Sequence, residues 1–308
     1  MTLDAARWRS VEFIADLHLC AELPRTAEAL LEHLRHSDAD AIMLLGDIFE
    51  AWVGDDMALP LDRTRAPADA DFERSFSADL AAIAATRWIG FMVGNRDFLV
   101  GADWAAACHL HPLADPTRFT LCGQQVLLSH GDELCLADVE YQQFRAQVRG
   151  DTWRQAFLAK PLAERLSIAR QMRQASTARQ QAQHGRPSCH DGGGDDQHCD
   201  APPYADVDHP AALASLRATG THTLVHGHTH RPGRHVLEQT DGQVWQRLVL
   251  SDWDLDHTTP ARAEVLRLDN SGFARLPPRR SPAVLLDLAS DSSPGSSSGR
   301  PSGMSPEA

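Results

Sequence analysis

The chain contains the stretch Thr223-Leu224-Val225-His226-Gly227-His228-Thr229-His230, in which a short apolar run leads directly into three alternating histidines. The apolar run predicts a buried strand, so the histidines lie where that strand ends and a loop begins. Side chains two residues apart in extended backbone point the same way, so His228 and His230 can face one pocket, with His226 available as a third member. A lone histidine cluster of this kind is found in metal sites and also among solvated or structural histidines.

The same arrangement, an apolar run followed at once by oxygen or nitrogen donors, occurs four more times. Residues 11–15 precede Asp16-Leu17-His18, residues 41–45 precede Gly46-Asp47, residues 87–93 precede Gly94-Asn95-Arg96-Asp97, and residues 125–128 precede Ser129-His130-Gly131-Asp132. Helical periodicity over residues 27–36 and 211–218 separates some of these runs, and later strands are predicted at 246–250 and 263–268. This alternation predicts a layered α/β fold with a largely parallel or mixed sheet, in which polar residues gather at the carboxyl edge.

Composition excludes several classes of function. The chain has 308 residues, 43% of them hydrophobic, which is enough for a substantial core. A net charge of −13 argues against a general nucleic-acid binder, because neutralising a phosphate backbone needs an excess of Lys and Arg. No early stretch resembles a signal peptide or a membrane span. The six cysteines are scattered without a C-x-x-C pair, and we interpret them as reduced thiols of a cytoplasmic protein.

After residue 136 the sequence pattern becomes mostly helical. Helices are predicted at 138–148, at 153–159 and from Pro161 to about 183, since proline suits the first turn of a helix. Between Arg145 and Arg186 there are nine Lys or Arg against two acidic residues. The block is either a helical excursion packed on the core with a solvated basic face, or a lid or membrane-facing element.

Two segments are predicted to lack packed structure. Residues 184–203 are polar, rich in Gly and Asp, and predict a mobile surface loop. Cys189-His190 and His198-Cys199 within that loop do not have a standard zinc-finger spacing. The Ser/Pro/Gly-rich residues 277–308 predict a disordered tail. We therefore expect one domain over residues 1–276, with a helical insertion at about 137–186.

Seven donors follow the predicted strands: Asp16, His18, Asp47, Asn95, His130, His228 and His230. Each taken alone has an ordinary explanation, since a strand-end Asp often caps a helix or turn. Together they fit two divalent ions that share one bridging carboxylate. Oxygen and imidazole donors without cysteine favour Mn²⁺, Fe²⁺ or Zn²⁺. Asp47, alone after its strand, is the natural bridge.

These motifs resemble those of the calcineurin-like metallophosphoesterase family, and the resemblance covers residues 16–230. It implies a four-layer α/β/β/α sandwich that holds two metal ions. It assigns Asp16, His18, Asp47 and His230 to the first ion, and Asp47, Asn95, His130 and His228 to the second. Two ions about 3.5 to 4 Å apart can clamp a phosphoryl group and lower the pKa of a water between them.

One substitution narrows the expected chemistry. Many members of the family with an alkoxide leaving group carry His in the third place of Gly-Asn-x-Asp, where it can protonate the departing oxygen. This chain has Arg96 there. Arginine does not give up its proton, but its planar fork binds phosphate oxygens. We therefore expect a leaving group that needs no proton, such as a phosphate departing from a pyrophosphate.

A closer resemblance covers roughly residues 11–232, including residues 46–56, 94–99 and Tyr141-Gln142-x-Phe144-Arg145. These stretches are similar to the UDP-2,3-diacylglucosamine pyrophosphohydrolases of lipid A synthesis in Gram-negative bacteria. The resemblance implies attack of water on the α-phosphorus, giving UMP and 2,3-diacylglucosamine 1-phosphate, with two Mn²⁺ ions per chain. It also implies a helical lid over the acyl chains.

By this resemblance the catalytic residues are Asn95 and Arg96, which would meet the pyrophosphate. The implied substrate contacts are Asn95, Arg96, Asp138, Tyr141, Phe144, Arg173, Ser176, Gln180, Gln183 and His228. Gln180 and Gln183 depart from the family, where Asn and Lys are common, and the missing Lys removes one expected phosphate or uridine contact. A basic, apolar lid would suit a peripheral protein on the cytoplasmic face of the inner membrane, without a protein partner.

Two other classes of function remain open at this stage. The same fold supports dinucleoside polyphosphate hydrolases and cyclic-nucleotide phosphodiesterases, although Arg96 and the apolar lid favour neither. A non-catalytic metal-binding scaffold for protein partners is a further alternative. Such scaffolds tolerate the loss of ligands, whereas here all seven are present.

Overall fold

The computed structural model describes residues 1–61, 71–184, 206–240 and 242–279, with the backbone alone for 175–184. The strands are β1 (Val11–Ile14), β2 (Ala41–Leu45), β3 (Trp88–Met92), β4 (His111–Pro112), β5 (Thr117–Leu121), β6 (Gln124–Leu128), β7 (Thr223–His226), β8 (Gly233–Thr240), β9 (Gln243–Val249), β10 (Val265–Asp269) and β11 (Gly272–Leu276). The helices are α1 (Pro24–His36), α2 (Asp71–Ala84), α3 (Ala102–Ala107), α4 (Val139–Val148), α5 (Asp151–Leu158), α6 (Leu162–His184) and α7 (His209–Thr219). The predicted loop at 184–203 and almost all of the predicted tail lie outside these residues.

The strands form two sheets. One has the order β11-β10-β1-β2-β3-β4, and the other has the order β5-β6-β7-β9-β8. β1, β2 and β3 run parallel in the first sheet, and β6, β7 and β9 run parallel in the second. The antiparallel strands at the sides make both sheets mixed, as the sequence predicts.

Alternation along the strands explains why the sheets stack. Successive side chains of a strand point to opposite faces, so an all-apolar strand must be covered on both sides. In β2, Met43 packs with Phe119 and Val225 of the other sheet, whereas Leu44 packs in the cluster that contains Leu30 of α1. On the far side of the second sheet, residues of β6 and β7 pack against α7. The predicted four-layer α/β/β/α sandwich is confirmed.

The helical block consists of α4, α5 and α6, between β6 and α7 in the chain. Its boundaries differ from the sequence prediction by one or two residues at most ends, because helix termini depend on local capping. Phe157 of α5 is buried and belongs to the same apolar cluster as the helical layer of the first sheet. In the described part of the chain, none of the helices has both the length and the apolar character needed to cross a bilayer.

A buried carboxylate joins β1 to α1 through hydrogen bonds. Glu12 and His33 are each 1% exposed, and Nε2 of His33 lies 3.0 Å from Oε2 of Glu12. Ser37 also donates to that carboxylate, and Arg267 of β10 lies 3.2 Å from its other oxygen. Burial disfavours the charged form, but the hydrogen bonds from His33 and Ser37 outweigh it and hold the pKa of Glu12 below its usual range.

We expect Glu12→Gln to lower the free energy of unfolding at pH 7 by about 3 kcal/mol, because it leaves buried partners without their counter-charge. The pKa of Glu12 is lower when folded, so its stabilisation is full above the ordinary carboxyl pKa and is lost as the pH falls. Urea unfolding at pH 7 and near pH 4 measures both effects. Glu28→Gln on the exposed side of α1 is the control, expected to change the stability by no more than about 0.5 kcal/mol.

Candidate metal centre

The predicted donors lie in loops that follow the carboxyl ends of parallel strands. Five of the seven adopt positive φ angles: Asp16 (57°), His18 (51°), Asp47 (54°), His228 (66°) and His230 (52°). Residues with a Cβ pay a steric cost in this region of backbone space, and such strain is concentrated at functional sites. The surrounding loops therefore hold these side chains in positions that the chain would not adopt by default.

Two glycines permit the loops to approach one another. A Cβ on Gly94 would collide with the backbone and carboxylate of Asp47, and a Cβ on Gly227 would collide with the carboxylate of Asp16. The glycine before Asn95 thus brings the β3 loop against the β2 loop, and the glycine before His228 brings the β7 loop against the β1 loop. The glycines of the sequence motifs are needed for this close approach.

The donors form two groups that share one carboxylate. Asp16, His18 and His230 form the first group, and Asp47, His130 and His228 form the second, each with ligand atoms within 4.8 Å of one another. The two oxygens of Asp47 face different groups, because Oδ2 lies 4.0 Å from Nε2 of His18 while Oδ1 lies 3.6 Å from Nε2 of His130. This is the geometry expected of a bridging carboxylate.

Asn95 completes the second group. Its Oδ1 lies 2.9 Å from Nε2 of His130 and 2.8 Å from Nδ1 of His228. The structure therefore brings all seven predicted donors to one place, in the two sets that the sequence resemblance implies. Their roles as ligands remain a prediction.

The electrostatics of the centre favour cations. Burial opposes charge on His130, but the carboxylates of Asp47, Asp132 and Asp16 outweigh it and raise its pKa to about 9. Burial likewise opposes charge on Asp16, yet the hydrogen bond and charge of His230 lower its pKa to about 2. Burial and the neighbouring His130 lower the pKa of His228 to about 4. The carboxylates that stabilise a protonated imidazole here would stabilise a divalent cation by the same interaction.

The residues fit divalent metal ions by chemistry as well as charge. Nε2 of His18 and Nε2 of His230 lie 3.2 Å apart, so both ring nitrogens converge on one point beside Asp16. Carboxylate, amide and imidazole donors without a thiolate suit hard-to-borderline divalent ions. The cysteines that the structure describes are free thiols, and none of them belongs to either group.

Arg96 lies beside the bridging carboxylate. Its backbone N–H donates to Oδ1 of Asp47 at 2.8 Å, which fixes the loop independently of the side chain. The guanidinium extends towards Glu50, with NH1 3.6 Å from Oε1. Burial opposes ionisation of Glu50, but the interaction with His18 and the charges of Arg96 and Arg173 hold its pKa below its usual range.

Asp132 ties the helical block to the metal loops. Its side chain is fully buried, and Oδ2 accepts a hydrogen bond from the hydroxyl of Tyr141 at 2.5 Å and from Nε of Arg145 at 2.9 Å. Arg149 lies 3.4 Å from the same oxygen and also donates to the carbonyl of Gly94. Two basic residues of the block are therefore paired with a buried carboxylate beside the donors instead of facing solvent.

The predicted substrate contacts of the helical block lie in different surroundings. The ring of Tyr141 lies over His228, with centroids 5.9 Å apart. Asp138 accepts a hydrogen bond from the backbone of Tyr141 and caps α4, and Phe144 is 38% exposed on the same helix. Arg173 reaches Glu50 at 3.0 Å. Ser176, Gln180 and Gln183 belong to α6, and their side chains lie outside the described residues.

His226 does not belong to either group of donors. Its Nδ1 lies 2.9 Å from the carbonyl oxygen of Gly227, and its Nε2 lies 3.4 Å from the guanidinium of Arg247. Arg247 in turn makes two hydrogen bonds to Asp206. Burial lowers the pKa of His226 to about 4, so the ring is neutral and fills the space behind the histidine loop.

Sequence reasoning gave no role to several carboxylates next to the donors. Asp97 accepts hydrogen bonds from the backbone N–H groups of Ile48 and Gly94, and it thereby joins the loop after β2 to the loop after β3. Burial and the neighbouring Asp47 raise the pKa of Asp97 to about 6. Asp252, which follows β9, lies 4.0 Å from Nδ1 of His230. The sequence could have identified Asp97 and Asp252, because each follows a predicted strand, as the seven donors do.

Two groups of donors that share one carboxylate, placed at the carboxyl edges of a double-sheet sandwich, are the arrangement typical of metal-dependent phosphoesterases. The chain belongs to the calcineurin-like phosphoesterase family, whose model matches residues 10–232.

Curated relatives narrow the family further. A protein of Bordetella pertussis named UDP-2,3-diacylglucosamine hydrolase is 41% identical over 261 residues, which cover 84% of this chain and 91% of that protein. Proteins of the same name from Aromatoleum aromaticum and Stenotrophomonas maltophilia are each 40% identical, covering 85% of this chain and 94% and 96% of theirs. A solved archaeal phosphodiesterase matches more distantly, with a TM-score of 0.37 and 10% identity over 87% of this chain and 98% of that chain. Within the phosphoesterases, the chain thus groups with the relatives of that name.

Proposed function

We propose that this chain hydrolyses the pyrophosphate bond of UDP-2,3-diacylglucosamine, releasing UMP and 2,3-diacylglucosamine 1-phosphate. The observation that carries the proposal is the shared carboxylate of Asp47, which faces both donor groups while accepting a hydrogen bond from the backbone of Arg96. Relatives with this substrate in their name, at about 40% identity over most of both chains, support the choice of substrate.

Two divalent ions, which we propose to be Mn²⁺, would polarise the phosphate oxygens and lower the pKa of the attacking water. Asp16, His18 and His230 would hold the first ion, and Asn95, His130 and His228 the second, with Asp47 shared. Five of these donors already adopt positive φ angles, so the loops hold their side chains in place before the ions bind. We therefore expect little reorganisation of the loops on metal binding.

The leaving group explains the arginine. Water adds to the α-phosphorus, the bond from that phosphorus to the bridging oxygen breaks, and the oxygen leaves with the β-phosphate. A phosphate leaves as an anion and needs no proton, so a residue that stabilises charge serves better than a general acid. The guanidinium of Arg96, which lies beside Glu50, supplies several N–H donors in one plane, and this suits the oxygens of a pyrophosphate.

The experiment that tests the function measures UMP released from UDP-2,3-diacylglucosamine by the purified protein. We expect release with Mn²⁺, loss of release after chelation, and recovery when Mn²⁺ is restored. Bis(p-nitrophenyl) phosphate serves as the comparison substrate and should react far more slowly. No release of UMP in the presence of Mn²⁺, or faster turnover of the phosphodiester, would contradict the proposal.

We further propose one phosphoesterase domain over residues 1–276, in which residues of about 137–186 form a lid that receives the acyl chains. Large apolar side chains are exposed on and beside this block: Leu136 (49%), Val139 (59%), Phe144 (38%), Leu158 (40%) and Met172 (41%). Such a surface, on a block rich in Lys and Arg, suits a peripheral protein at the cytoplasmic face of the inner membrane.

The double substitution Leu136→Ser with Val139→Ser is expected to reduce binding to vesicles that contain anionic lipid by about tenfold or more, because each apolar side chain contributes roughly 1 kcal/mol or more when buried. Co-flotation with vesicles, with and without anionic lipid and at low and high salt, measures the effect. Val236→Ser is the matched control, since Val236 is 52% exposed on β8, outside the helical block. Binding of the unmodified protein that ignored both salt and anionic lipid would contradict the membrane proposal.

A further inference from the structure

Glu50 follows β2 by five residues and contacts three functional side chains at once. Oε2 lies 3.1 Å from Nδ1 of His18, while Oε1 lies 3.0 Å from Nε of Arg173 and 3.6 Å from NH1 of Arg96. Its side chain is only 13% exposed, and its backbone N–H donates to the carbonyl of Leu19, one residue after His18. The carboxylate is therefore fixed to the loop that carries a predicted metal ligand.

The contact with His18 concerns the ring nitrogen that does not face the donor group. Nε2 of His18 points to His230, so Nδ1 is the nitrogen that remains. Nδ1 is buried without a well-aligned hydrogen bond, and the negative charge of the carboxylate oxygen 3.1 Å away favours the tautomer that carries the proton on Nδ1. This leaves the lone pair of Nε2 directed into the metal centre, which is how carboxylates orient histidine ligands.

The other carboxylate oxygen of Glu50 contacts Arg96 and Arg173, two residues that are predicted to bind the substrate. Arg96 comes from the β3 loop and Arg173 from α6 of the helical block, so one carboxylate oxygen connects both to the β2 loop. Two guanidinium groups against one carboxylate leave an excess of positive charge. A pyrophosphate, with more charge and more acceptor oxygens than one carboxylate, can draw both arginines away from Glu50.

We propose that Glu50 is a positioning residue that links the first metal group to the helical block. It orients His18 for the metal, and it holds Arg96 and Arg173 together near the phosphate position until a diphosphate substrate replaces it as their partner. The inference deepens the proposed function and rests on it only for the identity of that substrate.

Metal binding tests the first half of the proposal. Calorimetric titration of the metal-free protein with Mn²⁺ should show two binding events. Glu50→Ala should weaken one of them by about 10- to 100-fold, the usual effect of removing a residue that orients a ligand, and leave the other within twofold. Glu50→Gln should lose less affinity, because its amide oxygen can still accept the Nδ1 proton of His18.

Hydrogen exchange of the metal-free protein tests the second half. Glu50→Gln and Arg173→Gln should each increase amide exchange in α6 by about two- to fivefold, the range expected for one partly exposed ion pair. The double variant should exchange no faster than either single variant, because both remove the same contact. Arg173→Gln should leave both Mn²⁺ affinities unchanged, so metal binding separates the two contacts of Glu50.

Glu238→Gln is the matched control, since Glu238 pairs with Arg217 and contacts none of the donors. It should change neither metal binding nor exchange in α6, and thermal unfolding should confirm that every variant folds. The proposal is overturned if Glu50→Ala binds both ions as the unmodified protein does. It is equally overturned if exchange in α6 ignores both Glu50→Gln and Arg173→Gln. Neither measurement uses the substrate, so a protein that behaved as expected here but released no UMP would contradict the proposed function alone.

Discussion

Asp47→Asn is expected to lower kcat/KM for release of UMP by roughly 1000- to 10,000-fold. The two oxygens of Asp47 face different donor groups, and an amide leaves only one of these groups with an oxygen donor at this position. The bridging negative charge is lost as well. Metal ions contribute several kcal/mol of transition-state stabilisation, and each 1.36 kcal/mol corresponds to a tenfold change in rate.

Asparagine preserves the shape of the site, which makes the test specific. Its amide oxygen can still accept the backbone N–H of Arg96, which donates to Oδ1 of Asp47 at 2.8 Å. We therefore expect the variant to fold and to bind about one Mn²⁺ fewer per chain when metal content is measured after gel filtration.

The control is another aspartate at a strand end. Asp269→Asn changes a residue that follows Leu268, and Leu268 pairs with Val11 at the start of β1. Asp269 thus lies at the edge of the sheet opposite the donors, and its substitution should leave kcat/KM within about twofold. Full metal content and near-normal turnover in Asp47→Asn would contradict the bridging role.

The seven donors could be predicted from the sequence because one simple rule locates them. Parallel strands are short apolar runs, and their carboxyl ends meet at one edge, so a polar residue such as Asp47 or Asn95 directly after such a run must come near the others. Within one sheet the rule needs no knowledge of side-chain packing, but the donors of β1 to β3 meet those of β6 and β7 only because the two sheets pack together. It fails for His226, which shares the spacing of His228 and His230 but is the last residue of β7 and turns towards Arg247.

The residues without a predicted role depend on contacts between distant elements. Glu50 pairs with Arg173 in α6, and Asp132 accepts hydrogen bonds from Tyr141 and Arg145 in α4. Where the helical block docks is decided by tertiary packing, which the helical pattern of that block does not contain. The basic composition of the block predicted an interaction with anions, whereas part of that charge is paired with carboxylates of the site itself.

The number of sheets shows the same limit. The apolar runs before Asp16 and His130 look alike in the sequence, yet one becomes β1 of the first sheet and the other becomes β6 of the second. Periodicity identifies a buried strand but not which strand lies beside it. The pairing of strands into sheets depends on packing throughout the core. The strand pattern therefore did not predict two sheets, and that prediction came from the family resemblance.

Arg96→Gln is expected to lower kcat/KM for UDP-2,3-diacylglucosamine by roughly 100- to 1000-fold, the usual effect of removing one preorganised donor from a site of developing negative charge. Mn²⁺ binding should stay within twofold, because the contact of residue 96 with Asp47 runs through the backbone and survives any side chain. Arg96→Lys keeps the charge but loses the planar guanidinium, so its activity should lie between that of Arg96→Gln and that of the unmodified protein. Arg217→Gln, on the pair with Glu238, is the control and should not change turnover.

Arg96→His asks whether the leaving group explains the arginine. Histidine can donate a proton, which helps an alkoxide to depart but does little for a phosphate that leaves as an anion. We therefore expect Arg96→His to be impaired on the pyrophosphate about as strongly as Arg96→Gln, and to gain activity relative to Arg96→Gln on a phosphodiester with an alkoxide leaving group. If Arg96→His raised phosphodiester turnover and left pyrophosphate cleavage intact, the arginine would not be selecting the leaving group. Phosphate recognition would then have to come from Arg173 and the helical block, because these hold the other guanidinium that faces Glu50.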